Sequence, residues 1–257
     1  MNASSAIYQL WRRELLRFTR QRSRWIGALA TPLLFWLLIG GGLGTSFRDP
    51  TQSSPGGYLE FFYPGSVVLS VLFTAIFSTM SVIEDRHQGF LQGVLVAPVP
   101  RSTFVFAKIL GGATLSTLQG GLLLALAPLA GIGLTLPRVA ALLVLLFIIG
   151  AALTALGFVF AWKIDSVQGY HGIMNMVLVP MWILSGAVFP SSGGFGVFSW
   201  LQKINPLAYG VKAFRGILFH PQVVPLLMQV SIVILFGACM TYLSVRAVDS
   251  RKKVSRI

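Results

Sequence analysis

"EDRHQGFLQGVLVAPVPRST", residues 84–103, is a charged, proline-punctuated island between two long apolar runs. Glu84, Asp85, Arg86, His87 and Arg101 stand out because the chain has few charges to place: 11% of its 257 residues are charged and 55% are hydrophobic. That balance is too apolar for a soluble domain and reads as an integral membrane protein. The formal charge of +13 raises the possibility of a nucleic-acid partner. The basic residues gather at the ends of apolar runs rather than in a patch interleaved with aromatics, which excludes that class.

A helix crossing about 30 Å of hydrocarbon needs about 20 largely apolar residues. Working outward from the island, six segments meet that length: 25–43, 64–83, 107–129, 139–162, 171–189 and 223–245. The expectation is therefore a single all-α membrane domain over 1–257, with both termini on one side. Lys and Arg accumulate in cytoplasmic segments, and 15 of the 20 basic residues fall on the side of the termini and the island. The other five are Arg48, Arg138, Lys203, Lys212 and Arg215. The termini, the island and the basic tail 246–257 are thus expected in the cytoplasm. The first apolar run is longer than a secretory signal core and no Ala-x-Ala site follows it, so it reads as a retained span.

Residues 5–24 repeat Ile7, Leu10, Trp11, Glu14, Leu15 and Phe18 at helical spacing, with Arg12, Arg13, Arg17 and Arg20 at other positions. This pattern suits an amphipathic helix in the membrane interface, with Arg12 and Arg17 anchoring to lipid headgroups; a plain basic topology signal is the lesser alternative, and both can hold together. On the outer side, 44–63 ends in the aromatic group Phe61, Phe62 and Tyr63, which suits an interfacial belt. The loop 190–222 holds "NPLAYGVKAFRGILF", where Pro206 follows Asn205 and can start a short helix. Leu207, Val211, Phe214 and Leu218 share its apolar face, and Tyr209, Lys212 and Arg215 read as interfacial anchors or as cargo contacts.

The central parts of the six segments lack ionisable residues, which argues against an ion-coupled secondary transporter. The histidines His87, His171 and His220 lie near span ends or in loops, and no phosphate cradle or metal-ligand spacing occurs, which argues against a membrane-embedded enzyme and a metal site. The lone Cys239 permits no intrachain disulfide. Gln119, Asn175 and Gln229 fit interhelical hydrogen bonding. Gly112, Ser116 and Gly120 recur every four residues and allow close backbone approach, within one bundle or at a dimer seam. Pro128 and Pro180 are positioned to kink or end their spans.

Within the island, Phe90, Leu91, Val94 and Leu95 have helical spacing, and Pro98 and Pro100 then stop the helix and stiffen the chain. Such a link suits a contact point for a cytoplasmic motor, or an ordinary amphipathic loop. The stretch "EDRHQGFLQGVLVAPVPRSTFVFAKIL" resembles the link between spans two and three of ATP-binding-cassette (ABC) transporter permeases of the type-2 exporter class. "PMWILSGAVFPSS" and "INPLAYGVKAFRGILF" are similar to that family's fifth-span end and outer re-entrant segment. Many members read Glu-Arg-Glu-x-Gly-Thr where this chain has Glu84 to Phe90, so the charge pattern toward the motor differs.

The resemblance implies a permease subunit of the cell inner membrane, without enzymatic activity or cofactor of its own. ATP and Mg would belong to a separate ABC ATPase subunit, and the permease would act as a homodimer or with a second, similar permease. It implies coupling through Glu84, Asp85, Arg86, Gly89, Leu91, Leu95, Pro98, Pro100 and Arg101, with an N-terminal interfacial helix around Trp11, Arg12, Glu14 and Arg17. It further implies an outer segment at Asn205, Pro206, Tyr209 and Arg215, spans one, two and five lining the route at the dimer interface, and export of lipid-linked, amphipathic or drug-like cargo.

Overall fold

The computed structural model describes residues 2–43, 57–189, 196–219 and 223–250, and the regular structure among them is helical throughout. In chain order the helices are α1 (Ala3–Arg20), α2 (Arg22–Leu43), α3 (Tyr58–His87), α4 (Phe90–Val96), α5 (Ser102–Leu124), α6 (Leu136–Lys163), α7 (Val167–Trp182), α8 (Gly196–Ile204), α9 (Pro206–Phe219) and α10 (Val223–Ser250). The outer-loop residues 44–56, the segments 190–195 and 220–222 with His220, and the tail residues 251–257 lie outside the described residues.

Among the described residues, four helices are long and apolar enough to cross a membrane: α2, α3, α6 and α10. The chain is a multi-pass membrane protein. The third and fifth expected spans fall outside that set for physical reasons. α5 carries Lys108, Gln119 and many Ser, Thr and Gly residues turned inward, and α7 has 16 residues before it passes into a π turn at Ile183–Ala187. The boundaries also move. α5 starts at Ser102 and ends at Leu124 rather than running from 107 to 129, because Pro128 belongs to a separate 3-10 turn at Ala127–Ala130. Pro180 sits inside α7, and Gly186 in the π turn takes φ 82°, a left-handed conformation that favours glycine.

α3 is the hub, buried along nearly its whole length among α2, α5, α6 and α7. A helix surrounded by others must satisfy its hydroxyls internally. Thr74 Oγ1 donates to Ser70 O at 2.8 Å and to the Gln119 side chain, and Ser78 and Ser81 bond back to their own helix. α5 approaches α3 and α6 closely because its facing positions are small. A Cβ on Gly112 would stand 2.5 Å from Thr154 and 2.7 Å from Ser78 Oγ. Ser116 is fully buried against Gly150 of α6 and reaches Val71 O, and Gly120 faces Leu146 and Val71. The Gly112, Ser116, Gly120 stripe thus lies between helices of this one chain. At the periphery, only 6% of the α10 span and 22% of the α2 span are buried, leaving broad apolar faces outward.

Candidate functional site

The last turn of α3 places Glu84, Asp85 and Arg86 in successive positions, about 100° apart around the helix, so they reach different neighbours. Asp85 is fully buried. Its Oδ1 accepts from Arg13 Nη2 at 2.7 Å and Arg17 Nη1 at 2.6 Å, and its Oδ2 from Lys108 Nζ at 2.5 Å and Arg13 Nη1 at 3.2 Å. Glu84 accepts from Arg17 Nη2 at 2.7 Å and from Arg24 of α2. Glu14, on the inward face of α1, accepts from Lys108 Nζ and from Ser81 Oγ, each at 2.8 Å, and from Arg13 at 3.1 Å. The ion pairs tie α1, the start of α2, the end of α3 and the start of α5 into one clamp. Three carboxylates meet four cations. Burial works against the charge of Arg13, but hydrogen bonding and attraction to Asp85 outweigh it and hold the guanidinium pKa above its ordinary value.

Local sequence seats α1. Trp11, Glu14 and Phe18 fall on one helical face and meet an α5 stripe of Lys108, Gly111 and Thr114, three residues apart. Trp11 Nε1 donates to Thr114 Oγ1 at 3.1 Å, and a Cβ on Gly111 would touch Glu14 Cβ at 3.0 Å. A longer side chain at 111 would lift Glu14 away from Lys108.

Arg86 turns the other way. It donates to Asp165 at 2.6 Å and to the carbonyls of Trp162 at 2.7 Å and of Ala161 and Ile164 at 3.2 Å. These include terminal carbonyls of α6, which lack helical partners, and a cation there also complements the helix dipole. Beyond it, Gly89 takes φ 74°, ψ −6°, the left-handed conformation that caps α3 and lets α4 start at once. Leu91 is buried in the core, the Arg13 guanidinium stacks 3.6 Å over the Phe90 ring, and Arg101 donates to Val248 O of α10 at 3.3 Å. His87, Gln88, Gln92, Gly93, Val96, Pro98 and Pro100 are left exposed. α4 itself is held by α3 and, through Phe90, by Arg13 of α1, while Arg86 before it and Arg101 after it tie the two ends of the link to α6 and α10, and its outer side is bare.

The family model for the ABC-2 type transporter matches residues 5–219. The chain belongs to the ABC-2 type transporter family. Among its relatives, a transport permease, ycf38, of Cyanophora paradoxa is 27% identical over 83% of this chain and 74% of its own length. Nodulation protein J of Rhizobium meliloti is 27% identical over 81% of this chain and 79% of its own. The inner membrane transport permease YadH of Escherichia coli is 26% identical over 90% of both chains. Transport across a membrane is the function of this ABC-2 type chain.

Two sequence-based expectations change with the geometry of this ABC-2 member. Glu84 and Asp85 are not surface charges offered to a motor, since both are turned into the clamp and Asp85 has no exposed surface. Arg17 is not a free headgroup anchor, because both of its forks hold α3 carboxylates. Arg12 does remain exposed. The side chain of Leu95 lies outside the described residues. At the opposite end, Asn205 Nδ2 donates to Met181 O at 2.6 Å while its Oδ1 accepts from Leu207 N, so Asn205 fastens the start of α9 to α7. Leu207, Val211, Phe214 and Leu218 are buried, and α9 packs on α6, α10 and the π turn. Arg215 lies 4.3 Å over the Phe61 ring and donates to the carbonyls of Phe61 and Gly186, and Tyr209 donates to Lys203 O at 2.8 Å. Sequence reasoning missed Lys108, Ser81, Arg13 and Arg24 as members of the clamp. The available signal was Glu14 on an otherwise apolar face and Lys108 just inside an apolar run, two charges that burial obliges to pair.

Proposed function

We propose that the chain is the membrane subunit of an ATP-driven exporter, with six spans, cytoplasmic termini and a separate ABC ATPase docked on the exposed side of α4. α5 and α7 complete the six spans, and the membrane is the cell inner membrane. The observation that carries the reading is the link itself, bare outward at Gln92, Gly93 and Val96 and fixed inward through Phe90, Leu91, Arg86 and Arg101. ATP binding would draw two ATPase subunits together and push on α4. The clamp would carry that push into α1, α3 and α5, and Arg86 would carry it into α6 and α7. The permease acts as a homodimer or with a second, similar permease. Its cargo is amphipathic, lipid-linked or drug-like, a class supported by span centres without ionisable groups, which suit cargo moved without ion coupling.

Affinity isolation of the full chain from its native membrane, with partners identified by mass spectrometry and ATPase activity measured in the eluate, tests this. A stoichiometric ABC ATPase is expected, lost in Val96→Asp, which alters a side chain 84% exposed and leaves the clamp intact. Recovery of the chain without an ATPase after crosslinking in the membrane would refute the reading and favour an ion-coupled transporter.

A further inference from the structure

The outer side of α1 carries a groove of about 460 Å³ lined by Gln9, Arg12, Arg13, Leu16, Arg17 and Arg20, closing at Gln21. Helical periodicity arranges it as two columns of residues four apart, Gln9, Arg13, Arg17 and Gln21 beside Arg12, Leu16 and Arg20. Four guanidinium groups thus flank one groove without a carboxylate in its lining. Arg13 and Arg17 are already oriented by Asp85 behind them, and among the described residues Arg12 and Arg20 have no ion-pair partner. The clamp beneath has one cation more than its carboxylates, so with Arg12 and Arg20 the groove stands over an uncompensated positive charge.

We propose that this groove binds the phosphate headgroup of an anionic phospholipid. Arg13 and Arg17 contribute charge, their forks being held by carboxylates behind them; the forks of Arg12 and Arg20 are the ones that match phosphate oxygens with two parallel hydrogen bonds, and Gln9 and Gln21 at the ends of one column add neutral donors suited to a headgroup's polar atoms. A lipid is favoured over an acidic protein surface by position. Arg20 is two residues before the start of α2, a membrane-spanning helix, so the groove opens at headgroup level. Leu16 in its lining is exposed, as are Tyr8 one helical turn before Arg12 and Ile26 in the first turns of α2, apolar side chains suited to meet acyl chains rather than water. The inference rests on the membrane reading and is independent of the ATPase.

Native mass spectrometry of the detergent-purified full chain, equilibrated with phosphatidylglycerol or phosphatidylcholine, reads it directly. The wild type is expected to retain phosphatidylglycerol selectively. Arg12→Gln with Arg20→Gln, which leaves every clamp residue in place, is expected to weaken that retention about 25-fold, from about 1 kcal/mol for each basic residue near an anionic surface. Arg12→Lys with Arg20→Lys should recover part of it, and an unchanged thermal transition shows that the variants fold. Equal retention of both lipids, or undiminished phosphatidylglycerol in the folded Gln variant, overturns the proposal. Displacement of the lipid by millimolar inorganic phosphate assigns the groove to a soluble anion and also overturns it. So does a Gln variant that keeps its lipid but loses a co-purifying acidic protein.

Discussion

Lys108→Met is the most informative single change in the clamp. The Lys108 ammonium is 3% exposed and donates to Glu14 Oε1, Ser81 Oγ and Asp85 Oδ2 at 2.5–2.8 Å, so methionine fills much of the same volume and removes all three bonds. Breaking a buried ion pair by removing one partner costs about 3–5 kcal/mol, because the other charge is left uncompensated. Asp85 keeps Arg13 and Arg17, and Glu14 keeps the Ser81 hydroxyl and Arg13, itself part exposed, which places the cost at the lower end, about 3 kcal/mol. The loss falls on the attachment of α1 to α5. Hydrogen exchange of the α1 backbone amides in lipid nanodiscs reports that attachment, and about 3 kcal/mol corresponds to roughly a hundredfold faster exchange if α1 opens locally. Adding Glu14→Gln should restore most of the protection, since the stranded charge is then gone, and a double-mutant cycle isolates the pair. Unchanged α1 exchange in Lys108→Met, with the chain correctly inserted, would falsify the view that this lysine holds α1 in place.

At Gly89, where φ is 74°, alanine should cost about 1–2 kcal/mol in thermal stability, and proline, whose φ is fixed near −65°, should uncouple ATP hydrolysis from transport in vesicles; equal coupling in both variants refutes a role for that turn. Gly112→Val puts side-chain atoms where Thr154 and Ser78 already lie and should lower stability by more than about 3 kcal/mol, above the usual overpacking range, which a denaturation series measures. The Thr79 and Tyr170 hydroxyls meet at 2.5 Å, but Thr79 also bonds the carbonyls of Ala75 and Ile76. Tyr170→Phe should therefore cost under about 1 kcal/mol, whereas Thr79→Val orphans a wholly buried phenol and should cost about 1–3 kcal/mol; the reverse order contradicts this account. Arg86→Met should loosen the end of α6, seen as faster exchange at residues 160–165, while α1 exchange stays unchanged.

Much of the fold was legible because apolar length and basic flanks are composition-level signals. α2, α3, α6 and α10 stand near the expected positions, and α9 starts at Pro206 as its sequence suggested. α5 shows where length counting weakens. Its Lys108 and Gln119 lower its hydropathy, but both face other helices, and which way a polar residue faces depends on neighbours far along the chain. The site divided in the same way. Gly89 and the prolines marked the link through local backbone chemistry, and those constraints act within a few residues. The direction of Asp85 depends on Arg13 and Lys108, 72 and 23 positions away, and a string of letters does not report that distance. A cluster of charges before a glycine therefore read as a surface feature although burial had already paired it.

One residue, Gln21, separates α1 from α2, and this joint makes α1 a lever. The 18 residues of α1 extend about 27 Å from the joint at 1.5 Å per residue, and Glu14 in the clamp stands only about 10 Å from it. With Gln21 as fulcrum, a force applied at the far N-terminal end reaches the clamp multiplied by about two and a half. A shift of about 1 Å at the clamp swings that end by about 2.5 Å. The N-terminal end of α1 is thus where a small load has the most leverage on α3 and α5, and where their smallest rearrangement is displayed most widely.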